Sequence, residues 1–253
     1  MAWDPALYLR YERYRKQPAL DLLARIDHAS PEVVYDLGCG PGNVTMLLAE
    51  RWPRAKVTGV DTSQEMLGEA RQQAPKLAWK REDISAFDAD DADVVFTNAA
   101  LNWVADHGRV VAGLFECLRP GGVLAIQMPR NYEQPSHAEI VACIEDSPWR
   151  DRLRPHLTFT HVQPPEFYYD LLAPVATDLE IWETNYIHTL SGEDPVLQWI
   201  MGTALRPIAG ALEEPERGVF LDRMRQRYRA AYPPRPDGNT LFPMQRLFVL
   251  ARC

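Results

Sequence analysis

The sequence predicts an α/β protein with a doubly wound, mostly parallel sheet of seven strands, and three observations carry that reading. Between residues 33 and 128, strand-like and helix-like segments alternate at the spacing of βα units. A glycine-rich turn, Gly38-Cys39-Gly40-Pro41-Gly42, directly follows the first of those strands. After Pro129 the rhythm breaks, and two further strand-like segments follow. Strands separated by helices imply a parallel sheet covered on both faces.

Each element follows from its residues. The apolar run at 33–37 is the first strand, and 43–51 has helical periodicity. Residues 56–60 are the second strand. Thr62-x-x-Glu65 predicts a capping box opening a helix that reaches about residue 73, the hydroxyl and the carboxylate each satisfying a free N–H. Residues 77–80, 93–97 and 123–128 supply three more strands, with a helix at 109–118 between the last two. Arg119-Pro120-Gly121-Gly122 is a turn by composition. Residues 130–175, rich in proline and aromatics, predict irregular structure with short helices. At 178–190 a strand places Trp182, Thr184, Tyr186 and His188 on one face. Residues 194–231 are helical again, and 246–251 form a final short strand. The economical reading is one Rossmann-like core whose helical insertions form a lid and an acceptor pocket.

Composition narrows the function classes. At 253 residues the chain is long enough for one large α/β domain with insertions. A 46% apolar share excludes long disorder. No apolar run approaches the roughly 18 residues that span a bilayer. Residues 1–15 carry Tyr, Arg and Asp with no apolar h-region, so no secretory signal is expected. Four separated cysteines, Cys39, Cys117, Cys143 and Cys253, fit a reducing cytoplasm better than a disulfide framework or a zinc site. No metal is expected, since no carboxylate, Cys or His cluster has ligand spacing. A net charge of −8 disfavours nucleic acid as partner.

The glycine turn is the most specific signal. Glycines there let the backbone turn sharply and approach a ligand. Asp61 ends the second strand, where a carboxylate can accept from both ribose hydroxyls. Asp83 lies just after the third strand, within reach of an adenine edge. A nicotinamide site would require glycine at position 43, which is Asn43, and an open helix start for a pyrophosphate. S-adenosylmethionine carries no phosphate, and it is the expected cofactor. The cofactor set is Tyr8, Asp36, Gly38, Cys39, Gly40, Gly42, Asp61, Thr62, Met66, Asp83, Ile84 and Asn98.

The loop 36–42, Gly59-Val60-Asp61, Asp83-Ile84 and Leu118-Arg119-Pro120-Gly121-Gly122 together resemble class I S-adenosylmethionine-dependent methyltransferases. Over nearly its whole length the chain resembles, more narrowly, the trans-aconitate 2-methyltransferase family. Trp3-Asp4-Pro5, the 98–103 segment, Gln127-Met128-Pro129, Leu205-Arg206-Pro207 and Arg246-Leu247-Phe248-Val249 carry that likeness. Asn102, where the family has glutamine, and the 150–178 stretch depart from it. The resemblance implies methyl transfer to one carboxylate of trans-aconitate, or of a close polycarboxylic acid, giving a monomethyl ester. The alternative is a natural-product O-, N- or C-methyltransferase on the same fold.

A carboxylate of pKa about 4 is already ionised at pH 7, so no residue is expected to act as a base. The acceptor set is Arg206, Trp103, Gln127, Tyr186, His188, Arg15 and Asn102. Arg206 leads it, because a guanidinium meets a carboxylate bidentately and its apolar neighbours imply a need for a partner. A surface arginine at a helix end is the other reading. Trp103 either walls the acceptor channel, faces a sulfonium cation or packs in the core. His107 reads as a helix-start residue, with a base as the other reading. The chain divides into a helical segment 1–30 closing over the cofactor, a cofactor-binding core 31–129, and late strands with acceptor-pocket insertions at 130–253 in the same domain.

Overall fold

A computed structural model describes residues 12–157 and 162–253 and contains a seven-stranded sheet. Helix α1 is Glu12–Arg25, followed by β1 (Val33–Leu37), α2 (Asn43–Arg51), β2 (Lys56–Asp61), α3 (Gln64–Gln73) and β3 (Ala78–Arg81). Then come β4 (Ala92–Asn98), α4 (His107–Glu116), β5 (Leu118–Pro129), α5 (Pro135–Glu145), α6 (Arg150–Leu153) and α7 (Pro165–Leu172). The chain ends with β6 (Asp178–Leu190), α8 (Pro195–Met201), α9 (Leu205–Gly210), α10 (Glu216–Ala231) and β7 (Thr240–Arg252). Strand order is β3-β2-β1-β4-β5-β7-β6. The first five strands pair in parallel, and β7 runs antiparallel to β5. Among the described residues no helix is long and apolar enough to cross a membrane.

The chain separates into two compact units. One comprises Arg15–Pro129, His161–Thr184 and Arg246–Cys253. Its core includes Leu37, Val95, Leu124, Ile126, Tyr168 and Val249. All but the last residue of β4 is buried, as expected of a strand covered on both faces. Asp93 is the one charge inside that run, and its Oδ2 accepts the Glu32 and Val33 N–H groups at 2.7 and 2.8 Å. The other unit comprises Met1–Tyr14, Arg130–Thr160 and Asn185–Gln245, with a core around Ile140, Leu153, Trp199, Ile208, Phe220 and Phe242.

Three local expectations change. The cap of α3 is Ser63, whose Oγ accepts the Met66 N–H at 3.3 Å, rather than Thr62 paired with Glu65. The reason lies one residue back: Asp61 Oδ1 takes the Ser63 N–H at 2.8 Å, and the Thr62 carbonyl accepts from Arg81 Nε. Arg119–Gly122 is a bulge inside β5 and not a free turn. Ala92 pairs with Leu118 and Val94 with Val123, so extra residues are absorbed on one strand, with Gly121 at φ +83°. Strand β7 starts at Thr240 and not at 246, because buried Thr240, Phe242 and Met244 alternate with more exposed neighbours around Pro243. The period-two face of β6 is as expected: Trp182, Thr184 and Tyr186 are half-buried and His188 buried, while Glu183, Asn185, Ile187 and Thr189 are exposed.

His107 opens α4 behind its N-cap Asp106 and is buried. Its Nδ1 lies 2.6 Å from Tyr168 Oη and its Nε2 2.9 Å from the Leu101 carbonyl. A neutral ring that accepts from the phenol and donates to the carbonyl satisfies both contacts. Tyr168→Phe should therefore destabilise the protein by about 1–3 kcal/mol, the cost of leaving a buried nitrogen unsatisfied. Urea denaturation followed by circular dichroism measures it, and an unchanged midpoint would remove this bond from the stabilising set.

Candidate functional site

At the carboxyl ends of β1 and β2 the backbone builds its own ligand cradle. Gly38 and Cys39 donate their N–H groups to the Val60 carbonyl at 2.8 and 3.0 Å, folding the loop back over β2. Gly38 sits at φ +72°, and a Cβ there would stand 2.2 Å from the Ala100 methyl. Gly42 is at φ +86°, and its Cβ would meet the Trp79 ring at 2.4 Å. Both positions exclude a side chain twice over, by conformation and by space.

Asp61 ties this loop to the next helix. Its Oδ2 accepts the Gly40 N–H at 2.9 Å while Oδ1 accepts that of Ser63. Each oxygen keeps a second lone pair, so the carboxylate can also receive two hydroxyls. Asp83 accepts from the Ser85 N–H at 2.8 Å and the Ser85 hydroxyl at 2.6 Å. Those bonds, the hydroxyl first, hold its carboxyl below the usual carboxylate range.

A cleft of about 570 Å³ opens here, lined by Gly38, Asp61, Thr62, Asp83, Ile84 and Trp103 among others. Its size suits a nucleoside-sized ligand. Glu82, Asp83, Asp61 and Asp106 face one cation, Arg109, which donates to the Ser85 carbonyl at 3.1 Å and lies 3.5 Å from Asp106 Oδ2. An acidic lining of this kind favours a cationic ligand and repels a pyrophosphate. The residues present therefore fit S-adenosylmethionine: acceptors for ribose hydroxyls, a loop without Cβ atoms at Gly38, Gly40 and Gly42, and a field that suits a sulfonium. Among the described residues no group of three His, Cys, Asp or Glu side chains converges as a metal site.

The remaining expected residues divide by place. Asp36, Cys39, Gly40, Gly42, Met66 and Asn98 border the loop or the strand ends but do not line the cleft. Asp36 is buried, and Thr45 Oγ1 donates to it at 2.6 Å. Burial raises its carboxyl from 3.8 to about 7, with Thr45 opposing and Asp61 adding to the rise. Burial likewise pushes the Cys39 thiol up. Asn98 and Gln127 are register partners on β4 and β5, and neither Asn98 Oδ1 nor Gln127 Nε2, both buried, has a hydrogen-bond partner among the described residues. Asn102 is buried outside the cleft lining, while Trp103 beside it is 66% exposed.

Arg206 lies on α9 with its side chain exposed, so it is not a charge held in apolar surroundings. Helical periodicity explains the difference, since Leu205, Ile208 and Ala209 turn inward and leave Arg206 outside. His188 is buried and stacks on Trp199 at 5.2 Å; Tyr186 is half-buried. These three belong to the second unit. Tyr8 and the Arg15 side chain lie outside the described residues. Sequence reasoning missed Glu82, Ser85, Ala99, Ala100, Asp106 and Arg109 as lining residues. Asp106 and Arg109 carried the only legible signal, an N-cap and its i+3 partner at a strand-to-helix junction.

Comparison with known proteins identifies relatives of the chain. A family model described as a methyltransferase domain matches residues 34–122. The chain is similar to a trans-aconitate 2-methyltransferase of Azoarcus sp. (strain BH72), 45% identical over 250 residues, with 98% of each chain covered. A protein of the same name from Acidovorax ebreus (strain TPSY) is 43% identical, covering 99% of this chain and 98% of the relative. Among solved structures, phosphoethanolamine N-methyltransferase 2 of Haemonchus contortus, in complex with S-adenosyl-L-methionine, superposes with a TM-score of 0.55 at 17% identity, covering 92% of this chain and 51% of that one. Geranyl diphosphate C-methyltransferase of Streptomyces coelicolor A3(2) also gives 0.55, at 15% identity, covering 97% and 78%. At such identities the structural likeness speaks for the fold alone.

The buried Asp36 makes stability depend on pH in a defined direction. Unfolded, the carboxyl ionises near 3.8; folded, it keeps its proton to about 7. Between those values the folded state binds the extra proton, so stability falls as pH rises and levels off above them. Asp36→Asn removes that dependence while keeping an acceptor for Thr45. The variant's thermal midpoint should gain on the wild type steadily from pH 4.5 to 7.5, and parallel curves would show that Asp36 ionises normally.

Proposed function

We propose that this chain, a member of the trans-aconitate 2-methyltransferase family, transfers the methyl group of S-adenosylmethionine to a carboxylate of trans-aconitate and releases the monomethyl ester. The observation that carries the reading is sequence identity of 41–45% over nearly the full length of relatives bearing that name. The largely acidic cleft beside the glycine loop supports the cofactor half of it.

When bound, S-adenosylmethionine supplies an electrophilic methyl group. The chain's own work is to hold and orient. Asp61 receives the ribose hydroxyls, Gly38 borders the ligand while leaving room for Ala100 behind it, and Asp83 with Ile84 borders the adenine. The acceptor carboxylate needs no base, being ionised at neutral pH. His107 is in keeping with this, since both of its ring nitrogens are engaged in structural contacts. Orientation of an ionised oxygen against the methyl group can supply about 7–11 kcal/mol of the barrier. Arg206, Tyr186, His188 and Arg15 are the side chains proposed to hold the non-reacting carboxylates, with Gln127 offering an amide N–H. The segment 1–30, with Tyr8, is proposed to close over the cofactor.

The reading includes a small-molecule partner and no nucleic acid or membrane, supported by the net charge of −8. A cytoplasmic location belongs to it as well, supported by four free cysteines.

Incubation with labelled S-adenosylmethionine and a panel of tricarboxylic acids, read by mass spectrometry, should give one monomethyl ester, with trans-aconitate the fastest substrate. Turnover of none of the acids would overturn the acceptor assignment. Arg206→Ala should lower kcat/KM for trans-aconitate by about tenfold, the loss of one charge-assisted hydrogen bond at an exposed site. Arg206→Lys should recover only part of that, because an ammonium cannot reproduce the guanidinium fork. An undiminished kcat/KM in Arg206→Ala would strike Arg206 from the acceptor set.

A further inference from the structure

Resting on the cofactor reading above, we infer that Asn102 is a positioning residue, which fixes the Trp103 indole as a preformed wall against the ligand in the cleft. Asn102 belongs to the short 3₁₀ turn Leu101–Trp103 that follows β4, and it is only 6% exposed. In the orientation that satisfies its amide, its nitrogen donates to the Ala99 carbonyl at 2.9 Å. Its oxygen accepts the Trp103 indole N–H at 3.0 Å. Both ends of the side chain thus form hydrogen bonds inside the turn.

What it holds is unusual in two ways. Ala99 stands at φ +54°, a left-handed conformation that a side chain disfavours. Its N–H donates to the Gln127 carbonyl at 2.9 Å, and the Asn102 amide binds its carbonyl, so the strained residue is gripped on both sides. Next in the chain, the Ala100 methyl occupies the place where a side chain on Gly38 would lie. The turn and the glycine loop are therefore set against one another.

Trp103 is the product of that arrangement. Among the described residues it is the most exposed of the large apolar side chains, and it lines the same cleft as Gly38, Asp61 and Asp83. An indole this open in the wall of a concave site is available for a ligand to cover. Its one polar atom is already satisfied by Asn102, so the ring can meet a ligand without exposing an unpaired N–H. Fixing the ring in advance also spares the entropy of ordering it when the ligand arrives. Asp106 and Arg109 border the same stretch of cleft but pair with each other, leaving the indole as the aromatic side chain of the lining.

The test is a double-mutant cycle with S-adenosylhomocysteine as the probe, titrated by calorimetry into wild type, Asn102→Leu, Trp103→Phe and the double variant. Each single change should weaken binding by about three- to tenfold, the range expected when one ordered side chain at a binding surface is lost. The double variant should be no weaker than the worse single one, because Asn102 acts through the indole. Ligand should also blue-shift the Trp103 part of the emission, taken as wild type minus Trp103→Phe. In Asn102→Asp, which keeps an oxygen for the indole, that shift should survive. Unchanged affinity in Trp103→Phe overturns the proposal however the Asn102 variants fold. Additive losses overturn it too, since they would make Asn102 a brace for Ala99 alone. Wild type that fails to bind the probe sinks the cofactor reading instead, a distinguishable outcome.

Discussion

The Asp61 carboxylate is the interaction on which the ligand cleft depends. It accepts one N–H from the glycine loop and one from the residue that caps α3, and it does so at the end of a buried strand. Two charge-assisted bonds from backbone donors fix the loop's height above the sheet and the start of the helix together. The loop can then take its left-handed turns at Gly38 and Gly42, and Ala100 can close against Gly38. Asp36 lies behind the same loop, buried and bonded to Thr45, and its ionisation is opposed by Asp61. Two carboxylates with different duties thus sit close together. One accepts two backbone N–H groups and keeps lone pairs for hydroxyls, and the other is deep enough to hold its proton near neutrality.

Charge is distributed with a purpose that net charge alone hides. The cleft gathers acidic side chains, which suits a cationic cofactor, while an anionic acceptor has to be met elsewhere by basic groups. Many arginines of the second unit are committed to structure. Arg225 and Arg229 both hold Asp194, and Arg227 joins Glu139 and Asp146. These pairs tie α10 to the elements beside it and leave fewer guanidinium groups for recognition. Toward the ends of β4 and β5, the amides of Asn98 and Gln127 show a different economy. Each leaves a polar atom without a partner among the described residues, a cost that structures tolerate where a ligand or water supplies the missing bond.

Much of the architecture was legible in the residues. Alternating strand and helix patterns located the first five strands, because buried parallel strands are near-continuous apolar runs and amphipathic helices repeat at 3.6 residues; period-two alternation located β6. Glycine spacing with Asp61 pointed to the cofactor, since left-handed turns and a carboxylate at a strand end leave marks in sequence. His107 was readable as a helix-start residue because its neighbour Asp106 is an N-cap type. Near-full-length motif likeness identified the family.

Other features needed the tertiary structure. Ser63 rather than Thr62 caps α3 because Asp61, distant from neither in sequence, reaches past one to bond the other. The Arg119–Gly122 segment stays within β5 because neighbouring strands on both sides hold it, and composition alone describes only an isolated turn. Arg206 looked like a charge among apolar residues, yet which face of a short helix meets the core is decided by packing. Asn102 was legible as a polar residue near the site, but its task was not. A side chain that spends both ends on a strained alanine and an indole is defined by three-dimensional neighbours, and hydrogen bonds of that kind have no sequence period to betray them.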